Sequence, residues 1–383
     1  MSELTPKVLL VAAATSTTGG GERHVADLMR GLPEMGFQVE LLAPRGGDIN
    51  ALAASLGIAT YEADIGGTSV AGLSATRSAI AQSDPDIVHA HGSRAALYAR
   101  LADSRGRERA VYTVHGIHTD RSGSSARRSV LTAMERALVK RTRHFICVCH
   151  ADMAHGSALG ILEAQRASVV YNGVSLPEGV AAGSFRSEIG VGSETPVALA
   201  VGRYSPQKDH PTLLRAWALV RHRMPDAVLA LIGGGQLETE TRALADSLGL
   251  GGSVRFCATR PDLRSAYTDA DVVVLSSLWE GLPYVVLEAL ATGTPVVSTA
   301  VDGIPEAVTH GETGLLVPPS APEPLAAALV ELLSDRDRSR AMGEMGRADV
   351  AERFSLEGMI DGLASVYRDV LGQPSLGEES DRD

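Results

Sequence analysis

The sequence predicts an α/β protein of two doubly wound, parallel-sheet, Rossmann-like domains facing each other across a cleft. Three observations predict it. Short apolar, β-branched runs alternate with stretches of helical spacing, the pattern of parallel strands joined by right-handed crossovers. The alternation stops once, at Asn172-Gly173, crosses a stretch rich in Gly, Ser, Pro and Glu, and then starts again. A chain of 383 residues that is 44% apolar has material for two cores.

Lys7 to Ala14 (KVLLVAAA) is a continuous apolar run, as expected of a strand buried on both faces. Thr15 to Gly21 follows as a loop. Glu22 to Leu32 reads as a helix, because Val25, Leu28, Met29 and Leu32 recur at helical spacing. Phe37 to Ala43 is the next strand and Ile49 to Leu56 the next helix. Strands at Ile87 to Ala90, Ala110 to Val114, Phe145 to Val148 and Ser168 to Tyr171 complete the first series. The second series runs through Val197 to Gly202, Ala227 to Ile232, Val254 to Cys257, Val272 to Leu275, Pro295 to Ser298 and Gly314 to Val317. The domains therefore fall at 1–173 and 196–353, with a linker at 174–195 and a final helix at 354–372. The polar, acidic end at 373–383 reads as a disordered tail.

Composition narrows the function. Glycine is abundant (40) and aromatics are sparse (4%), which fits an α/β enzyme. A net charge of −11 argues against a nucleic-acid binder. Three cysteines are too few and too odd a number for a disulfide framework, and point to a reducing compartment. Cys147 and Cys149 alternate within an apparent strand and read as buried hydrophobes. The chain opens without a leader pattern and contains no run of about 18 apolar residues, so a cytoplasmic protein without a membrane span is expected. One region departs from the overall charge. Arg94 to Arg143 holds 12 Arg/Lys against 4 Asp/Glu, a local net of +8. There Arg127, Arg128, Arg136, Lys140, Arg141 and Arg143 flank apolar Val130, Leu131, Met134, Leu138 and Val139. This stretch is either a solvated face over a packed core or a surface for an anionic membrane or a phosphorylated acceptor.

The chemistry concentrates in Ser276 to Leu290 (SSLWEGLPYVVLEAL), which reads as a loop and helix after the strand ending at Leu275. Pro283 suits the first helical turn, whose free amides attract phosphate or sugar hydroxyls. Glu280 lies at the mouth of the loop and Glu288 more than a turn into the helix, two carboxylates suited to the two ends of a polyhydroxylated ligand. Arg203 leaves a strand, and Lys208 follows on the same loop. The two either straddle a diphosphate or are solvated loop charges. His115 ends a strand, where a structural and a functional role are equally open. Gly19-Gly20-Gly21 lets a backbone approach a ligand, but His24 stands where the dinucleotide fingerprint needs its third glycine. Asp84-Pro85-Asp86 and Asp335-Arg336-Asp337 sit in a turn and in a helical stretch, so no catalytic metal is expected. All the glycine, Arg203 and Glu280 positions follow strands, where ligands of doubly wound sheets bind.

Assembled, the sequence resembles the family 4 retaining glycosyltransferases of the GT-B fold, from about residue 6 to residue 371. The resemblance rests on GGGERH, VHG at Val114 to Gly116, YNGV at Tyr171 to Val174 and GRYSPQKDH at Gly202 to His210. It continues through WEGLPYVVLEAL, GTPVVST, GIPEAV and GETGLLVPP. It implies a nucleotide-sugar donor, UDP by default, and a hydroxyl acceptor, with no further cofactor. Arg203 and Lys208 would hold the diphosphate, and Glu280 the sugar hydroxyls. Gly281, Leu282 and Pro283 would line the sugar and phosphate, and Glu288 would take the ribose. Phe256 to Arg260 would frame the base, by backbone more than side chain. Gly20 and Gly21 would approach phosphate or acceptor, and His115 the transferred sugar. The final helix would cross back onto the first domain. Two positions depart from the family pattern: Asp209 follows the lysine where glycine is frequent, and Asp302 replaces the first glycine of the usual pair.

The implied reaction is transfer of a hexosyl group with retention, without metal, for cell-surface polysaccharide or glycolipid synthesis. The basic stretch would suit a lipid-linked acceptor at the inner face of the plasma membrane. A nucleotide-sugar 2-epimerase of the same fold is the alternative enzyme, and a non-catalytic sugar-nucleotide-binding protein the alternative outside catalysis.

Overall fold

The computed structural model describes residues 5–17, 19–67, 69–117, 121, 124–177 and 183–373. The tail after Gln373, residues 178–182 of the expected linker, and residues 118–120 and 122–123 of the basic stretch lie outside the described residues. The chain divides into two compact units, Met1–Asn172 with Leu356–Asp383, and Gly173–Ser355.

The first unit is a seven-stranded parallel sheet: β1 (Lys7–Ala12), β2 (Gln38–Ala43), β3 (Ala59–Glu62), β4 (Ile87–His91), β5 (Ala110–Val114), β6 (His144–Cys147) and β7 (Ala167–Val169). Their order is β3-β2-β1-β4-β5-β6-β7. The continuous apolar runs follow from cover on both faces. Along β1, Val8, Leu10 and Ala12 join the core beneath the helix Gly20–Gly31, while Leu9 and Val11 join the core on the other face. The edge strand β3 is absent from the sequence reading because it lacks that signal: its residues ATYE are exposed or half-buried. The final helix, Leu356–Leu371, packs into the first of these cores through Met359, Ile360, Leu363, Ala364 and Tyr367, a spacing of three and four that lines one face. It lies so close to the helix Gly20–Gly31 that a Cβ on Gly31 would meet Ile360 Cγ1 at 2.8 Å.

The second unit is a six-stranded parallel sheet: β8 (Val197–Val201), β9 (Val228–Ile232), β10 (Val254–Cys257), β11 (Val272–Leu275), β12 (Val296–Thr299) and β13 (Gly314–Val317). Their order is β10-β9-β8-β11-β12-β13. The stretch expected as a linker is folded in its described part. A short helix, Ser184–Glu188, buries Phe185, and its leading amides on Gly183, Phe185 and Arg186 donate to the buried Asp269 carboxylate at 2.5, 2.8 and 3.2 Å. Gly/Ser-rich composition concealed this, because the partner of those amides lies far away in sequence.

In each sheet the strand order reverses once, between β1 and β4 in the first unit and between β8 and β11 in the second. The crevice at such a reversal is where open α/β sheets bind ligands.

Candidate functional site

In the second unit the residues following β8 and β11 meet at that reversal. Gly202 and Tyr204 are fixed by main-chain bonds to Ile232 and Gly234, each 3.0 Å. This contact requires glycine at 233, where a Cβ would sit 1.9 Å from the Gly202 carbonyl oxygen. With Tyr204 turned into the core, the intervening Arg203 points outward, exposed and without an ion pair among the described residues.

Lys208 ends a single turn, Pro206–Lys208, and its Nζ donates to Glu280 Oε1 at 2.5 Å. Ser277 Oγ donates to the same oxygen at 2.6 Å, and Gln207 Nε2 to Oε2 at 3.1 Å. The two loops are sewn together further by Leu278 N to the Gln207 carbonyl at 2.8 Å and Ser276 Oγ to the Lys208 carbonyl at 2.7 Å. The two residues assigned to different parts of a ligand are therefore paired with each other here. A carboxylate has about four lone-pair positions. Three protein donors occupy Glu280, so it has room for one further hydrogen bond, on Oε2. Lys208 keeps two N–H donors for a phosphate. A small adjoining cleft is lined by Gly202, Lys208, His210, Ser276 and Ser277. Burial, with a smaller push from Lys208, lowers the His210 pKa to about 4 and keeps the ring neutral.

Both departures from the family pattern are put to use. Asp209 and Asp302 each adopt left-handed backbone, φ 44°, a conformation glycine and aspartate tolerate. Asp209 caps the next helix, accepting from Thr212 N at 3.3 Å. Asp302 Oδ2 accepts from the Glu280 main-chain N–H at 2.8 Å, so the residue in the glycine position buttresses the glutamate loop.

The remaining second-unit residues distribute as follows. The helix begins at Tyr284, and Pro283 is its N-cap rather than a first-turn residue. Gly281 and Leu282 are buried in the loop ahead of it. Glu288 is half-buried and accepts from Tyr267 OH at 2.7 Å. Phe256 lies under the Arg242 guanidinium, 4.3 Å from its ring centre. Arg260 forms a two-pronged pair with Glu188 at 2.6 and 2.7 Å, which raises its pKa, so its side chain is engaged by the short helix Ser184–Glu188.

In the first unit the helix starts at Gly20, so Gly20 and Gly21 form its first turn instead of ending a loop. Gly21 faces His115: a Cβ there would meet the ring Cδ2 at 3.2 Å. His115 belongs to a cluster that sequence reasoning missed. His24, His89 and His91 are buried beside it, with ring centres 4.9 Å apart for His24–His115 and 4.1 Å for His89–His91. His24 Nδ1 bonds the Asn172 amide oxygen at 3.1 Å. That oxygen only accepts, so Nδ1 carries the proton and Nε2 presents a lone pair. Nε2 of His24 and of His91 are buried without a hydrogen-bond partner among the described residues. Burial drives the His24 pKa down to about 4 and those of His89, His91 and His115 well below the usual value. The legible signals were His89-x-His91 at the end of an apolar strand and His24 one helical turn from Gly20.

Residues 18–177 match the family described as Glycosyltransferase Family 4, and residues 183–349 match Glycosyl transferases group 1. The chain belongs to the family 4 glycosyltransferases. A D-inositol 3-phosphate glycosyltransferase of Thermobispora bispora is 29% identical over 93% of this chain and 91% of its own length. That of Corynebacterium glutamicum is 36% identical over 51% of this chain and 48% of its own length, and the chain spans about half the length of the Corynebacterium relatives it matches. Among solved structures, Anabaena HepE in complex with UDP-glucose superposes with a TM-score of 0.82 at 20% identity, covering 95% of this chain and 99% of that one. The fold of this glycosyltransferase-family chain is GT-B, two parallel-sheet α/β domains. Among the described residues no group of three or more His, Cys, Asp or Glu is placed to hold a metal ion, and no helix is long and apolar enough to cross a membrane.

Proposed function

We propose that this chain is a retaining glycosyltransferase that moves a hexosyl group from a UDP-sugar to an acceptor hydroxyl. The observation that carries the reading is the Lys208–Glu280 pair beside exposed Arg203, at the strand-order reversal of the second unit. Arg203 and Lys208 hold the diphosphate, each charge-assisted bond contributing about 1.5–3 kcal/mol. Glu280 takes one sugar hydroxyl, Glu288 the ribose, and the 256–260 segment frames the base. Gly20, Gly21 and His115 serve the transferred sugar and the acceptor. The bond from the anomeric carbon to the diphosphate breaks as the acceptor oxygen bonds that carbon from the same face. The acceptor proton passes to a phosphate oxygen, and the cations stabilise the charge that leaves. The UDP and UDP-glucose complexes of the HepE neighbour support a UDP donor. The relatives named for D-inositol 3-phosphate make a phosphorylated polyol a first acceptor to test.

The test is a thermal-shift panel of nucleotide sugars. At 100-fold excess over Kd the true donor adds about 2.7 kcal/mol of stability and raises the midpoint. A panel in which no nucleoside diphosphate sugar moves it would remove the reading.

The basic stretch supports a peripheral location on an anionic membrane. On the helix Ser125–Leu138, Val130 is 66% exposed, and Arg127, Arg136, Lys140, Arg141 and Arg143 are exposed on it and beyond its end. Flotation with phosphatidylserine vesicles should carry the protein at 20 mM salt and release it near 500 mM, as screening requires. Equal flotation on neutral vesicles would end the membrane proposal.

A further inference from the structure

We propose that Gln207 is a positioning residue for Glu280, holding its Oε2 so that one lone pair faces the transferred sugar. The inference rests on the donor-site reading above for the identity of the ligand, but not for the clamp itself. Gln207 Nε2 donates to the Trp279 carbonyl at 2.9 Å and to Glu280 Oε2 at 3.1 Å. Both neighbours can only accept, so the amide nitrogen must face them, and its two hydrogens are both committed to one loop. The Gln207 carbonyl meanwhile accepts from Leu278 N at 2.8 Å. One residue thus grips the glutamate loop by main chain and side chain together.

Lys208 and Ser277 both address Oε1 and leave the carboxylate able to turn about that oxygen. Gln207 supplies the third point, on the other oxygen, and three points fix a planar group. The Glu280 main-chain N–H does not serve its own carboxylate, because it is taken by Asp302 Oδ2. Preorganisation of this kind acts on the transition state more than on ground-state binding, so kcat should respond more than KM.

Two variants test this. Gln207→Leu keeps the size and removes the donor. It should lower kcat for UDP release about tenfold or more at every pH, with little change in KM. Gln207→Glu places a carboxyl against a carboxylate. At low pH a shared proton restores donation to Oε2, and at higher pH the two like charges repel. Its activity should therefore fall about tenfold or more as pH rises between 5 and 8, a step the parent and Gln207→Leu lack. Its melting midpoint should fall over the same range relative to the parent. That midpoint needs no substrate. If the parent releases no UDP from any UDP-sugar, the functional reading fails while the melting step still decides the clamp. A Gln207→Glu midpoint that parallels the parent from pH 5 to 8 overturns the proposal, as does parent-like kcat in Gln207→Leu.

Discussion

Lys208→Met should lower turnover about 10²–10³-fold and also destabilise the second unit, and the two losses should separate on adding a second substitution. The turnover loss follows from removing a fixed cation from the leaving diphosphate, an effect of about 3–4 kcal/mol for one preorganised group. The stability loss has another origin. The Lys208 and Glu280 side chains are only 16% and 8% exposed, so the methionine leaves a buried carboxylate facing two neutral donors. Breaking such a pair from one side costs about 3 kcal/mol or more, because the remaining charge has lost its partner. Replacing both members removes that penalty. Lys208→Met with Glu280→Gln should recover stability to within about 1 kcal/mol of the parent, while turnover stays at the level of the single variant or below. Chemical denaturation and UDP release measure the two. A double variant that regains turnover along with stability would show that the pair is a structural strut and that the leaving group is stabilised elsewhere.

How far this site was legible in the sequence depends on how local each cause is. The strands were legible because both faces of each sheet are covered, which writes unbroken apolar runs such as KVLLVA and VVVL. The exposed edge strand β3 carries no such mark. Arg203, Lys208, Glu280 and Glu288 could be picked out as charges placed just after strands. Their relation to one another could not, because Lys208 and Glu280 are 72 residues apart and meet only through the β8–β11 pairing. Asp209 and Asp302 read as departures from glycine. The structure shows why each is tolerated: both positions need left-handed backbone, and aspartate adds a carboxylate that caps a helix in one case and holds the Glu280 amide in the other. Arg260 ends the segment that the resemblance places at the base, and its pairing with Glu188 was not legible because Glu188 lies in a stretch whose composition hides a helix.

The histidine cluster carries the second large prediction, acid lability of the first unit. His24 is fully buried, and its pKa falls from 6.5 to about 4 because burial disfavours the charged ring, while the bond to Asn172 opposes this only in part. A depressed pKa means that the unfolded chain takes up the proton first. The stability contributed by the neutral ring is therefore complete above pH 6.5 and is lost as pH falls towards 4. For His24 alone the loss is about 3 kcal/mol across that window, since each pKa unit is worth about 1.4 kcal/mol. His89, His91 and His115 are lowered in the same direction by burial and by one another, and add to the slope. Carboxylates titrate at the acid end of this window, and burial raises that of Asp27 on the same helix, so the ring's share is read from the difference between the parent and His24→Gln. The denaturation midpoint of the parent should drop steeply from pH 6.5 to 4.5, and His24→Gln, though less stable at neutral pH, should show a shallower slope. A parent midpoint that stays level across that range, or an unchanged slope in the variant, would mean that the four rings are not held neutral by burial and that the pocket is wetter than its packing implies.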